Sequence, residues 1–329
     1  MARRTTGGKV GHFEMVEVLA NALVPVFVGM LFGYAAGLCK IVDNKDVKIL
    51  VTFLMRFALP CSLFVTIAST SRQMLWDQAT SALILAIVYL VIFVATYYAS
   101  RSLGKDTASN SAVLALTLGF PNTAAVGIPL IRAVYGPQAS VTVAIAIAIG
   151  AITITPITLA VLESGTAEER KFSQAVRIRR SVWGAVKNPV FWAPVLGALV
   201  AFAKVSLPNY LDTSLSILGG ATEGTALFVT GVITSAQPFK FSWGVGGAVM
   251  TKNVVQPVLC LLVASLFGLQ LEQTKYLVLL SALSCGFFGI LFGESFDATP
   301  EVASSSLIAS TVLSIFTLGG WIILLSHLH

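Results

Sequence analysis

Charged residues are scarce in this sequence: 11% of its 329 residues are Asp, Glu, Lys or Arg, whereas 56% are hydrophobic. A soluble domain typically has about 25% charged residues. The shortage excludes an ordinary soluble fold and predicts an all-α polytopic membrane protein. The net charge of +6 does not indicate nucleic-acid binding, because the basic residues lie mostly in short connections between apolar segments.

Histidine and cysteine are scarce as well. The three histidines, His12, His327 and His329, lie near the termini, and the four cysteines show no CxxC spacing. An enzyme or a metal centre would need such side chains clustered at fixed spacings. We therefore expect no enzyme activity, no metal and no cofactor. No ATP-binding loop is present in the sequence either, which argues against an ATP-driven pump.

Ten apolar segments are long enough to cross about 30 Å of hydrocarbon. They cover approximately residues 15–38, 47–68, 78–99, 110–132, 140–162, 188–205, 211–235, 242–268, 276–293 and 302–326. A basic linker at 163–187 separates a first group of five helices, within 15–162, from a second group, within 188–329. Residues 1–14 are expected to form an N-terminal tail.

The distribution of Lys and Arg predicts the orientation. The odd-numbered connections, including the linker at 163–187, hold more of these residues than the termini and the even-numbered connections. Positively charged connections stay on the cytoplasmic side. We therefore expect a cytoplasmic linker and both termini outside the cytoplasm.

Two short sequences recur in the same order and at nearly the same spacing. Leu63-Phe64-Val65-Thr66 returns as Leu227-Phe228-Val229-Thr230, and Gly119-Phe120 returns as Gly286-Phe287. Two groups with an odd number of helices must have opposite orientations in the membrane, so the recurrence predicts two inverted five-helix repeats. A chance match in apolar sequence is the alternative.

The fourth apolar segment contains an interruption near the bilayer midplane. Pro121 and Pro129 each remove a backbone donor and clash with the preceding turn. Gly119 and Gly127 lower helix propensity by about 1 kcal/mol each. Backbone groups freed at membrane depth are tolerated only where they face protein or a water-filled cavity, so the interruption predicts a solute site.

The ninth segment is expected to be broken at the corresponding point, and the two breaks to bind a small organic anion together. Ser284, Gly286 and Gly289 supply small residues there but no proline, so a straight helix packed through glycines is the alternative. Half-helices meeting at the midplane would direct their N-terminal amides at one point. Asn122 and Thr123 could cap these ends or donate to a carboxylate. That Asn122 only satisfies the broken backbone is the other interpretation.

Three charged residues, Arg56, Glu223 and Lys252, lie at similar depth in the apolar segments. Each is costly in hydrocarbon unless it is paired, so each should face the protein interior or a wet cavity. Arg56 and Glu223 fall on repeat-related helices and could pair; alternatively Glu223 could carry a proton. Lys252, followed by Asn253, is the candidate for binding an anion. A structural ion-pair network is the alternative for all three, and the coupling ion could be H+ or Na+.

The ordered set of motifs resembles the auxin efflux carrier family and, within it, the bacterial malonate carriers. The resemblance covers nearly the whole chain and rests on Phe57-Ala58-Leu59-Pro60, Pro121-Asn122, Gly127-Ile128-Pro129-Leu130, Ala226 to Gly231, Lys252 to Pro257 and Gly286-Phe287-Phe288-Gly289. At Glu223-Gly224 the sequence departs from the family, many members of which carry small residues and a proline there.

The resemblance implies a location in the bacterial inner membrane, a fold and a function. The first, second, sixth and seventh helices would form a scaffold and a homodimer contact, and the others a core that moves as an elevator. The implied activity is secondary transport, as symport, of a small dicarboxylate, malonate first. An exporter or facilitator of a larger, auxin-like carboxylate and an anion channel are the alternatives.

Overall fold

The computed structural model describes residues 12–104, 106–164, 189–237, 239–298 and 300–328. In these ranges the regular structure is helical, and the one strand-like feature is an antiparallel bridge between Pro121 and Cys285. The predicted all-α class is therefore confirmed. The predicted linker at 163–187 and the tail at 1–14 fall almost entirely outside the described residues.

Up to the linker, the α-helices are α1 (His12–Leu38), α2 (Asn44–Phe53), α3 (Leu59–Ala68), α4 (Arg72–Asp77), α5 (Ala79–Ala99), α6 (Ala108–Gly119), α7 (Ile128–Tyr135), α8 (Ser140–Ile152) and α9 (Ile154–Ser164). After it, they are α10 (Pro189–Ala203), α11 (Asn209–Ala236), α12 (Trp243–Met250), α13 (Gln256–Leu266), α14 (Leu271–Ser281), α15 (Phe288–Ser295) and α16 (Glu301–Ser326). Wider π-helical turns lie at Leu54–Ala58, Ser100–Gly104, Thr123–Gly127 and Thr251–Val255.

Six helical stretches in the described ranges are long and apolar enough to cross a membrane. They are Val47–Ala68, Arg72–Gly104, Pro137–Glu163, Asn209–Ala236, Trp243–Leu266 and Glu301–Ser326. Shorter apolar helices lie at Val24–Leu38, Ala108–Gly119, Thr123–Tyr135 and Trp192–Ala203. The chain is thus a polytopic helical protein, while the count of ten spans and the repeat arrangement stay predictions.

Three of the π-helical turns end directly before an X-Pro pair. The prolines are Pro60, Pro129 and Pro257, each at the second residue of the helix that follows. A proline ring clashes with the carbonyl four residues earlier and offers that carbonyl no N–H donor. The wider turn relieves the clash and leaves a backbone oxygen free for another partner. Such turns are frequent at functional sites.

Helices α1 and α11 pack against each other through glycines. A side-chain carbon added at Gly33 would collide with the carbonyl of Phe228, and one added at Gly231 would collide with the carbonyl of Met30. Small residues let two membrane helices approach at backbone distance, where dispersion contacts hold them together. This pair therefore requires glycine at both positions.

We expect Gly231→Ala to destabilise the protein by about 1–3 kcal/mol, because the added methyl group forces α1 and α11 apart. Gly220→Ala on the same helix is the matched control, since a carbon added there meets no atom within 4 Å. The control should be neutral or slightly stabilising, because alanine favours helix by about 1 kcal/mol. Thermal unfolding in detergent measures both, and equal midpoints for the two variants would contradict the packing described here.

Candidate functional site

Two interrupted helices meet in the protein interior. Helix α6 ends at Gly119 and helix α14 ends at Ser281, and non-helical backbone follows each of them, at 120–122 and 282–287. We call these two stretches the crossing. The interruption predicted in the fourth segment is present, and the ninth segment is interrupted rather than straight.

Backbone groups freed by the interruptions bond across the crossing. The amide of Asn122 donates to the carbonyl of Ser284, with an N···O distance of 3.0 Å. The amide of Gly286 donates to the carbonyl of Thr117, also at 3.0 Å. Each broken helix thus supplies partners for the other, as a buried backbone group at membrane depth requires.

The three glycines predicted as site residues permit close packing of the half-helices. A carbon added at Gly286 would collide with the carbonyl of Phe120, and one added at Gly289 would collide with the backbone of α6. At Gly127 an added carbon would lie 3.1 Å from a methyl carbon of Leu283. Their role in this structure is to bring the two interruptions together.

Polar side chains at the crossing lack partners among the described residues. Asn122 is 2% exposed, and neither its carbonyl oxygen nor its amide nitrogen has a hydrogen-bond partner. The hydroxyl of Ser284 is buried and unpartnered as well, whereas the hydroxyl of Thr123 donates to the carbonyl of Pro121 at 3.2 Å. A buried polar group without a partner costs about 1–3 kcal/mol. Asn122 and Ser284 are therefore hydrogen-bonding groups at the crossing that the described residues leave unpartnered.

Lys252 is buried and its ammonium group is hydrogen-bonded to other groups of the protein. It is 0% exposed, and its Nζ donates to Gln256 Oε1 at 2.6 Å and to the carbonyl of Ser281 at 3.1 Å. Gln256 Nε2 in turn donates to the carbonyl of Gly119 at 3.2 Å. In this structure the cation contacts the end of α14 directly and the end of α6 through Gln256, and its contact with an anion stays a prediction.

Asn253 connects the crossing to helix α16. Its Oδ1 accepts a hydrogen bond of 2.6 Å from Ser310 Oγ, which itself accepts one of 3.1 Å from the amide of Cys285. The indole Nε1 of Trp321 donates to the Asn253 carbonyl at 3.0 Å. That carbonyl lies four residues before Pro257, so Trp321 replaces the helical donor that proline lacks. Asn253 thus bonds α16 directly and reaches the backbone of the crossing through Ser310.

The predicted pairing of Arg56 with Glu223 is wrong. Glu223 Oε1 accepts a 2.8 Å hydrogen bond from Arg132 Nη1, and these side chains are 34% and 51% exposed. Arg56 is exposed in the π-helical turn at Leu54–Ala58. Arg132 lies on α7, the half-helix that leaves the crossing, and Glu223 lies on α11. The ion pair therefore joins α11 to a broken helix, a contact between distant parts of the chain.

Sequence reasoning missed Arg132, Ser310 and Trp321. Arg132 is the last residue of the predicted segment 110–132, and a basic residue at the end of a membrane segment is ordinary. A signal for Ser310 was present, because α16 is apolar yet carries a run of buried serines: Ser304, Ser305, Ser306, Ser310 and Ser314. Buried hydroxyls on a membrane helix generally contact another helix.

We expect Trp321→Phe to destabilise the protein by about 1–3 kcal/mol, because the carbonyl of Asn253 loses its donor while it stays buried. In a Pro257→Ala background Trp321→Phe should destabilise the protein less, since residue 257 regains an N–H that can bond the Asn253 carbonyl. Thermal unfolding of the single and double variants measures the coupling. Trp243→Phe, at a side chain on the surface, is the control, and a Trp321→Phe effect independent of Pro257 would contradict the assignment.

A double-mutant cycle tests the ion pair of Glu223. We expect Arg132→Gln and Glu223→Gln to be non-additive in unfolding free energy by about 0.2–1 kcal/mol, a range typical of partly exposed pairs. Arg56→Gln and Glu223→Gln should be additive. Coupling of Glu223 to Arg56 and not to Arg132 would overturn the pairing described here.

The family comparison covers most of the chain. The family model for membrane transport proteins, Mem_trans, matches residues 18–322. An uncharacterized transporter of Escherichia coli K12, YfdV, is 28% identical over 311 residues, which cover 94% of this chain and 98% of that protein.

Two further relatives carry more specific descriptions. A putative malonate transporter of Rhizobium meliloti is 26% identical over 94% of this chain and 97% of its own length. Auxin efflux carrier component 8 of Arabidopsis thaliana is 21% identical over 91% of this chain and 95% of its own length. The chain therefore belongs to the membrane transport protein family that includes the auxin efflux carriers.

Proposed function

We propose that the chain is a secondary active transporter of a small organic anion, with malonate or a related dicarboxylate as the first candidate. The observation that carries the proposal is the side chain of Asn122, which is buried at the crossing with both polar atoms unpartnered. An amide offers a donor to a carboxylate and an acceptor to a hydroxyl or a water molecule. The malonate relative of Rhizobium meliloti supports the choice of substrate.

The electrostatics of the crossing favour an anion. The π-helical turn at Thr123–Gly127 and helix α15, from Phe288, both begin at the crossing. The first turn of a helix has amides without intrahelical partners and is equivalent to about half a positive charge. Together with the unpartnered hydroxyl of Ser284, these ends would bind a carboxylate group.

The proposed architecture follows from the same region. We propose ten membrane helices in two inverted repeats, with the crossing formed by one interrupted helix of each repeat. The core would move as an elevator against a scaffold that includes α1 and α11, and the scaffold would form a homodimer. We further propose an inner-membrane location with both termini outside the cytoplasm. The ion pair between Arg132 and Glu223 is a candidate for coupling, because protonation of the carboxylate would release it.

Uptake into proteoliposomes tests the proposal. We expect saturable uptake of labelled malonate, driven by a proton gradient or a sodium gradient imposed separately. Asn122→Ala should reduce the affinity roughly 10- to 150-fold, since a hydrogen bond to a charged group contributes about 1.5–3 kcal/mol. Asn209→Ala, at an exposed residue at the start of α11, is the matched control.

The outcomes separate the alternatives. Flux that rises linearly with malonate concentration and ignores both gradients would indicate a channel. Normal uptake by Asn122→Ala would remove the crossing from the mechanism, and no uptake of malonate under either gradient would exclude it as the substrate.

A larger carboxylate is the second candidate, and one cavity favours it. A cavity of about 350 Å³ lies between α1, α11 and α16, lined mainly by apolar side chains that include Phe27, Met30, Ile308 and Ile315. It could hold the apolar body of an aromatic acid. Competition by indole-3-acetate that is stronger than competition by malonate would favour this candidate.

A further inference from the structure

Two hydrogen bonds join helix α13 and the turn before it to the two broken helices, and a third links the two side chains that make them. Gly119 and Ser281 are the last residues of α6 and α14. The ammonium of Lys252 donates to the Ser281 carbonyl at 3.1 Å and to Gln256 Oε1 at 2.6 Å. Gln256 completes the connection by donating to the Gly119 carbonyl at 3.2 Å. One lysine and one glutamine thus contact the C-terminal ends of both half-helices.

Local structure explains how both side chains reach this point. Lys252 and Gln256 are four residues apart, which places them on the same face of a helix. Lys252 lies in the π-helical turn at Thr251–Val255, and Gln256 directly precedes Pro257. Both side chains are 0% exposed. The lysine is thus held in the interior by the fold of its own helix.

The charges at this point balance. The C-terminal end of a helix is equivalent to about half a negative charge, so the ends of α6 and α14 together amount to about one. One ammonium group supplies the opposite charge. In the described part of the chain no carboxylate forms an ion pair with Lys252. The carbonyls therefore act as the counter-charge of the lysine.

In transporters with broken helices, unwound carbonyls and half-helix C-terminal ends are the groups that coordinate a coupling cation such as Na+. Here the carbonyls of Gly119 and Ser281 are already bonded to a carboxamide and an ammonium group. We propose that Lys252 is the resident cation of the crossing. It occupies the place of a metal cation, so that the solute binds and moves without bound Na+. Lys252 is then a positioning residue, which acts on the substrate through the crossing.

The inference deepens the proposed transport function, and its first test requires no substrate. The thermal unfolding midpoint of the purified protein is measured while NaCl replaces choline chloride at constant ionic strength. We expect no saturable change, because the cation position is filled. A saturable rise of the midpoint with Na+ would overturn the inference, even if malonate is transported.

Variants separate the charge of Lys252 from its packing. Lys252→Met should lower the midpoint and introduce a saturable rise with Na+, since the Ser281 carbonyl and Gln256 Oε1 lose the cation that donates to them. Lys240→Met is the matched control, because Lys240 is exposed and pairs with Glu301 at 2.6 Å; it should respond to Na+ as the wild type does. A Lys252→Met protein that folds but stays insensitive to Na+ would contradict the inference. If this variant fails to fold, the wild-type titration decides.

Uptake adds a readout that a purely structural role would not change. Wild-type proteoliposomes should take up labelled malonate equally well in NaCl and in choline chloride under one proton gradient, a ratio near one. A drop of tenfold or more in choline chloride would overturn the resident-cation role while leaving the transport function intact. Absence of uptake in both salts would instead count against the substrate, and the unfolding titration would still decide the role of Lys252.

Discussion

The structure depends on one constraint: a helix broken at membrane depth has to find partners inside the protein for every backbone group that it frees. The two broken helices meet this constraint together, since the amide of Asn122 bonds Ser284 and the amide of Gly286 bonds Thr117. Neither interruption would be stable alone in hydrocarbon. The crossing is thus a single structural unit made from two distant parts of the sequence.

Two further freed backbone groups have partners on a neighbouring helix. The carbonyls of Gly119 and Ser281 accept bonds from Gln256 and Lys252. The dipole of a helix explains this arrangement. The C-terminal end is partly negative and attracts a positive charge, whereas the amides make the N-terminal end partly positive. These four backbone groups have partners, whereas the side chain of Asn122 has none among the described residues. The contrast separates groups that hold the crossing together from a polar side chain that the described residues leave unpartnered.

How much could be predicted from the sequence depended on whether the cause was local. The interruption after Gly119 was predictable, because Pro121 and Pro129 act on their own backbone. The acceptors of Lys252 were not, because a carbonyl has no residue-type signature. The partner of Glu223 was missed for a related reason: the inferred repeat suggested Arg56, but tertiary packing brings Arg132 closer. The linker at 163–187 lies almost entirely outside the described residues, and so do its basic residues.

We propose a direct contact of Asn122 and Ser284 at the crossing with the transported solute. It is tested most directly by alkylating Ser284→Cys in a background whose four native cysteines have been replaced, with and without malonate. The account predicts that malonate slows the modification in a saturable way, while acetate slows it less. Modification at the same rate with and without a solute that the protein demonstrably transports would contradict the account.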